Sequence, residues 1–453
     1  MTLLRAFSVL LVTLLCSFVH AEQQLEPFAN LDTDGKVRLF DIQGSNTIGA
    51  AMAPALVVDY LKAKGASEVH ISPFAPNEKL VTGFFKPTRT RLSVRIAAHG
   101  SGTGFKGLLN KSADIAAASR PVKLKEVEQL RSFAKIRSAD SEHVVGIDGL
   151  AIIVNAANPV SELSVDDIAE IFSGGYRDWS ELGGKPGPIT VYARDENSGT
   201  WDSFKGMVLG KKHRLIPNTR RFESNDKLSD KVMADPNGIG FVGLASVKDA
   251  KLVAVSDGSA KALKPNKLTV ATEDYALSRR LYMYTDDDIQ NPHVAEFIQF
   301  ALSNSGQKVV ADSGFISQEL KAVKPEFYAE LPETFRAITD SARRLTINFR
   351  FEKGSAKLDN KALQDIDRLV DYLQQQRTTE IVLIGFGDKK RTERRSQLLS
   401  KLRAMAVRRE LVRNGIYPKE SIGYGEYLPV ASANREEGRT KNRRVEVWVK
   451  DNS

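Results

Sequence analysis

The sequence predicts a large α/β domain followed by a smaller, separate α+β domain. Three observations carry this. From Lys36 to about Leu320 strand-like and helix-like segments alternate, the pattern of an α/β layer structure. The joints between them place Ser, Thr and Gly at the starts of helices. A second β-α-β-α-β pattern then runs from Leu345 to Lys450, long enough for a domain of its own. Hydrophobic residues make up 42% and charged ones 27% of the 453 residues. That balance belongs to a globular chain and the length to two or three domains.

The elements follow in order. Val37-Arg38-Leu39-Phe40-Asp41-Ile42 reads as a strand that ends in Gly44-Ser45-Asn46-Thr47. Ile48 to Lys64 reads as a helix, with apolar residues at 48, 52, 56, 57 and 61. Leu92 to Ala98 is a strand, followed by Gly100-Ser101-Gly102-Thr103-Gly104 and a helical Phe105 to Asn110. Gly149 to Asn155 is a continuous apolar strand, as expected in a parallel sheet covered on both faces. Residues 321–344 look like a helical connector. Beyond it, Leu345 to Phe351 alternates as a strand, and Asn360 to Gln376 is an amphipathic helix. Ile381 to Ile384, Leu398 to Val412 and Arg443 to Val449 complete the domain as strand, helix and strand.

Charge and cysteine usage narrow the function. From Arg343 to Ser453 there are 25 Lys and Arg against 15 Asp and Glu, so the net charge of +9 resides in the last quarter of the chain. A basic end fits a polyanionic partner or a solvated charged face. Met1 to Ala21 has one charge, Arg5, an apolar run from Ala6 to Leu15, and Val19-His20-Ala21 at its end. This is the layout of a secretory signal peptide over residues 1–21. Leu15 before Cys16 does not suit a lipoprotein signal, which wants a small residue there. Export argues against nucleic acid as the basic end's partner. Cys16 is the only cysteine, so the exported chain has no disulfide, thiol nucleophile or cysteine metal site. The six histidines form no i,i+4 pair, which argues against a zinc hydrolase. No cofactor is expected.

Arg194-Asp195-Glu196-Asn197-Ser198-Gly199-Thr200 brings a guanidinium near a hydroxyl and a helix start, the donors a tetrahedral anion requires. Thr47 and Ser101 sit in two similar joints. Together with GSNTI (44–48), GSGTGFKGL (100–108), DIAAASRPVK (114–123), DGLAIIVN (148–155), NPVSELSVDDIAEIFSG (158–174), WSEL (179–182) and NGIGFVG (237–243), the region 36–320 resembles the phosphate-binding subunits of ABC transporters. These are type II periplasmic binding proteins. The resemblance implies a two-lobed α/β fold with the anion between the lobes. It also implies Thr47, Ser101, Arg194, Ser198, Gly199 and Thr200 as ligand donors, and an ABC transporter membrane complex as a partner to test for. One branch of the family has an aspartate after Ala-Ser that accepts the proton phosphate keeps at neutral pH. Here Arg120 stands in that place. Asp148 is then either the replacement acceptor or a hinge aspartate that caps a local turn.

In the second domain Asp388 follows the strand IVLIGFG (381–387), and Arg403 lies on the next helix. With LSKLRAMAV (399–407), NGI (414–416), GYGEYLPVAS (423–432), NREEGR (434–439) and NRRVEV (442–447), residues 345–450 are similar to OmpA-like peptidoglycan-binding domains. The resemblance implies that Asp388 takes the ammonium of diaminopimelate and Arg403 its carboxylate, with Arg443 a further contact. Gly387 replaces the usual Thr, Ser396 replaces an Asn, and the loop 389–395 is unusually basic. The expectation is a non-enzymatic phosphate or oxyanion receptor of the Gram-negative periplasm, held to peptidoglycan. The alternative is an envelope-structural or adhesion protein with a vestigial cleft.

Overall fold

The computed structural model describes residues 25–451, apart from residues 30, 32–33, 132–134, 197, 218, 223, 326–331, 352, 377–378, 389–391 and 435. The expected signal peptide, 1–21, and the basic triplet 389–391 lie outside the described residues.

The first domain is built on one long mixed sheet that passes through two lobes. In lobe one the strands lie in the order Ser67–Ala75, Glu78–Phe85, Thr90–Ala98, Lys36–Gly44, Ile115–Ala118 and Ser278–Tyr284. The strand Glu142–Val154 comes next, and Gly238–Gly243, Thr190–Arg194 and Arg220–Phe222 continue the sheet through lobe two. Among the described residues one strand, Glu142–Val154, pairs into both lobes, and the chain returns to lobe one at Ser278–Tyr284. Glu142–Val154 pairs with Ser278–Tyr284 up to Gly149, then with Gly238–Gly243 from Leu150 onward. Each lobe has its own core. One gathers Phe40, Leu56, Tyr60, Phe297 and Met283; the other gathers Ile152, Ile168, Phe172, Phe204 and Phe241.

The pairings of Glu142–Val154 with Ser278–Tyr284, Gly238–Gly243 and Lys251–Leu252 are all antiparallel. That corrects the expectation of a parallel setting for the apolar run at 149–155. A run of buried residues reports that both faces are covered and says nothing about strand direction. The helix expected over 48–64 is divided into Asn46–Gly49 and Met52–Ala63. Among the described residues of the expected connector at 321–344, Glu333–Thr339 is helical, while Ala322–Val323 pairs as an edge strand with Arg343–Arg350.

The second domain has a mixed sheet in the order Ala322–Val323, Arg343–Arg350, Arg444–Asp451, Thr379–Gly385 and Glu420–Gly423. Its helices Asn360–Gln375 and Glu393–Arg413 contribute Leu369, Leu373, Ala404 and Val407 to a core shared with Leu345, Ile347, Leu383 and Val447. Asp359 caps the first of these helices, its carboxylate accepting from Ala362 N. Among the described residues no helix is long and apolar enough to cross a membrane.

Candidate functional site

A cavity of about 990 Å³ lies between the lobes, and Thr47, Asp148, Arg194, Ser198, Gly199 and Thr200 are on its lining. Six of the seven residues expected to hold an oxyanion thus share one cavity, although they span 154 positions of sequence from Thr47 to Thr200.

The chain reaches this place by two tight passages. Gly44 has φ +136°, and a Cβ there would fall 2.0 Å from Ala117 O. Only glycine permits that turn, which delivers Ser45–Thr47 to the cavity edge. Gly199 lies so near the opposite lobe that its Cβ would meet Thr47 Cα at 2.3 Å. Across this contact Thr47 Oγ1 donates to Gly199 O at 3.0 Å.

Arg194 ends the strand Thr190–Arg194 and is 8% exposed. Its Nε donates to Phe222 O at 3.0 Å, and its Nη1 donates to Thr200 Oγ1 at 3.2 Å and to Asn225 Oδ1. Ser198 caps the helix Gly199–Phe204, accepting from Thr200 N and Trp201 N, so its own hydroxyl proton stays available to a ligand. The positive end of this helix faces the same cavity.

Asp148 is buried where Glu142–Val154 changes partner. Its Oδ2 accepts from Ser203 Oγ at 2.7 Å and from Arg279 Nε at 3.4 Å. Arg279 stands opposite Asp148 in register on the neighbouring strand. Its Nη2 also donates to Thr47 Oγ1 at 2.7 Å and to Ser203 Oγ. Burial lowers the pKa of Arg279, with Asp148 and Asp202 opposing that effect.

Ser101 is the exception. It is not on the cavity lining; its Oγ accepts from Ser119 N at 3.1 Å and lies 3.4 Å from Ser119 Oγ. Arg120 is likewise held within its lobe, donating to Glu126 at 2.8 and 2.6 Å with its guanidinium 5.5 Å from the Phe105 ring.

The second domain holds a different constellation. Arg443 Nη1 is 3.6 Å from Asp388 Oδ2, and Arg443 Nη2 donates to Glu436 Oε1 at 2.7 Å and Thr440 Oγ1 at 2.8 Å. Arg403 is 1% exposed, and its Nε donates to Ser355 O at 3.3 Å. Its Nη1 and Nη2 are buried without a hydrogen-bond partner among the described residues. Burial pulls its pKa down to about 10; Asp388 opposes this and Arg443 adds to it. A Cβ at Gly387 would sit 3.2 Å from Arg403 Nη1, so the absent side chain leaves room for the guanidinium.

A family model for the PBP superfamily domain matches residues 62–305, more than half of the chain, and the OmpA family model matches residues 350–443. The chain belongs to the PBP superfamily and carries a C-terminal OmpA domain. The phosphate-binding protein PstS of Staphylococcus saprophyticus is 32% identical over 263 residues, covering 56% of this chain and 79% of that protein. Protein SphX of Synechococcus elongatus is 31% identical over 274 residues, covering 58% of this chain and 78% of its own. A possible phosphate binding protein from Planctomyces limnophilus has the same fold, with a TM-score of 0.51 at 23% identity over 68% of this chain and 97% of its own.

In this PstS-like chain, sequence reasoning missed Arg279, Ser203 and Asn225. Asn225 and Ser203 sit inside ordinary helices, and SRRLYMY (278–284) resembles any basic strand edge. Two adjacent arginines heading an otherwise apolar strand were the one available signal, since strand neighbours face opposite ways.

Proposed function

We propose that the first domain captures inorganic phosphate between its lobes and that the OmpA domain holds the protein to peptidoglycan in the periplasm. The observation that carries the first half is the convergence of Thr47, Arg194, Ser198–Thr200 and Asp148 on one cavity. Arg194, the Ser198 and Thr200 hydroxyls and the backbone N–H of Gly199 supply donors to the phosphate oxygens. Asp148 supplies what sulfate would not need. Ser203 and Arg279 occupy its Oδ2, while Oδ1 takes no hydrogen bond among the described residues. That oxygen is the acceptor for the proton that monohydrogen phosphate retains. Arg279 and Ser203 hold the carboxylate in place, and the protein binds its ligand without changing it.

In the OmpA domain Arg403 offers two unpartnered nitrogens to a carboxylate, and Asp388 offers its charge to an ammonium. A zwitterionic amino-acid centre such as that of diaminopimelate matches this pair. A supporting ABC transporter would receive the phosphate. Ser101 acts from behind, by fixing Ser119.

The test is isothermal titration of the exported chain with phosphate and then sulfate. Phosphate is expected to bind with strong preference. Asp148→Asn should narrow that preference by at least about tenfold, the worth of one charge-assisted hydrogen bond. Unchanged discrimination would remove Asp148 from the role, and no binding of either anion would overturn the receptor reading.

A further inference from the structure

The two lobes have separate cores, and among the described residues the chain passes between them at two places, along Glu142–Val154 and just before Ser278–Tyr284. Such a joint is a natural hinge. The OmpA domain does not hang from the end of this assembly. It is seated behind the hinge and touches both lobes.

On lobe one, Asn360 Nδ2 donates to Arg137 O at 2.9 Å and lies 3.3 Å from Glu142 Oε1. Arg368 Nη1 donates to Gln318 Oε1 at 3.1 Å. On lobe two, Arg344 Nη2 donates to Asp274 Oδ2 at 2.6 Å, and Asn348 Nδ2 donates to Thr272 O and Asp274 Oδ1, both at 2.9 Å. Arg350 Nη2 reaches Thr272 O at 2.6 Å. Farther along the same lobe, Ser432 N donates to Asp257 Oδ2 at 3.1 Å, and a Cβ on Gly258 would strike Ser432 Oγ at 2.8 Å.

The hinge itself is gripped as well. Lys441 Nζ donates to Tyr275 O, Ala276 O and Ser278 O at 3.1 to 3.3 Å, just where the chain enters the strand Ser278–Tyr284. On that strand the two successive arginines part. Arg279 faces Asp148 and Thr47 in the cleft, and Arg280 faces away, bound to Glu273 and, at 2.7 Å, to Asp359 of the OmpA domain. The residue that fixes the acceptor carboxylate is thus one peptide away from a residue fixed by the wall-binding domain.

We propose that the OmpA domain braces the hinge, holding the two lobes at a set separation rather than leaving them to open freely. The seam's contacts cannot all be kept if the lobes rotate apart, because they fix both lobes to one rigid body. Opening would part buried ion pairs, and breaking those is far costlier than losing exposed ones. The fusion then has a mechanical purpose beyond tethering: the receptor is pre-set by its anchor.

The experiment measures lobe separation in the full chain and uses no phosphate, so its outcome is independent of the ligand reading. Ser72 and Ala245 line the cavity from opposite lobes, and the exported chain has no other cysteine. Spin labels at Ser72→Cys and Ala245→Cys would report the distance distribution by pulsed dipolar spectroscopy. A single narrow distribution is expected. Asp274→Asn, which weakens the central pair, should broaden it roughly twofold by releasing hinge motion. The gentler double change Asp257→Ala and Asn360→Ala removes one residue's contacts to each lobe and should broaden it in the same direction. That pair decides the matter should Asp274→Asn fail to fold. Distributions that superimpose in the folded variants and the parent, or a parent distribution already broad, would overturn the brace.

Discussion

The cleft and the Asp388–Arg403–Arg443 cluster both bury arginine, yet they treat it in opposite ways. Arg194 is held on Phe222 O, Thr200 and Asn225, and Arg279 on Asp148, Thr47 and Ser203. Arg403 has one long bond to Ser355 O and two buried nitrogens with no partner among the described residues. A buried donor left unmade costs about 1–3 kcal/mol, more when charged. Under the proposed function, the second domain therefore keeps a destabilising charge poised for its ligand, whereas the cleft keeps its cations satisfied and lends them. A site of the first kind trades stability for binding; a site of the second serves both.

That contrast can be broken by substitution. Arg403→Met should lower retention on isolated sacculi by about 100-fold or more, since two charge-assisted hydrogen bonds disappear. It should also leave the melting temperature unchanged or raise it, because a poorly partnered buried charge is replaced by an apolar side chain. Co-sedimentation and a thermal melt read both effects, and a large loss of stability would show that Arg403 is structural. Arg194→Met should behave differently and weaken both properties. Phosphate affinity should fall by about 30- to 100-fold, and stability by about 1–3 kcal/mol, because Asn225 and Phe222 O lose their donor. Calorimetry and denaturant unfolding measure the pair.

The seam sharpens the comparison from a third side. Burial of Glu273 would raise its pKa, but the guanidiniums of Arg280 and Arg350 outweigh burial and hold it at about 2. In the unfolded chain it titrates near 4.5. A depressed carboxylate stabilises the fold above its unfolded pKa. This stability, about 3 kcal/mol for such a depression, is lost as pH falls from about 5 toward 2. Stability against pH should drop over that window, and Glu273→Gln should flatten the drop. The smallest effect belongs to Gly387→Ala. Its Cβ would press on Arg403 Nη1 at 3.2 Å, so sacculus retention should fall by a few-fold, about 1 kcal/mol, with the fold intact.

Much of this was legible before any coordinates. The strand endings at Gly44 and Gly100, the RDENSGT stretch and the Asp388–Arg403–Arg443 set are local patterns, and local patterns survive in a one-dimensional string. The failures were of another kind. Ser101 sits in a joint like that of Thr47, but its hydroxyl is turned to Ser119, and only packing decides which way a side chain turns. The antiparallel setting of Glu142–Val154 escaped for the same reason, since strand direction depends on partners far away in sequence.

The sequence by itself determined two domains, the class of each, and most of the residues that line the interlobe cavity, because spacing, glycine placement and charge are properties of the chain. Only the tertiary structure decided that Arg279 stands behind Asp148 and that Arg280 is fastened to Asp359. It also decided that the second domain grips both lobes at once. These are relations between residues 74 to 223 positions apart, or between faces of one strand. They are fixed by which charges the fold buries together, and a buried charge finds its partner in space and not along the chain.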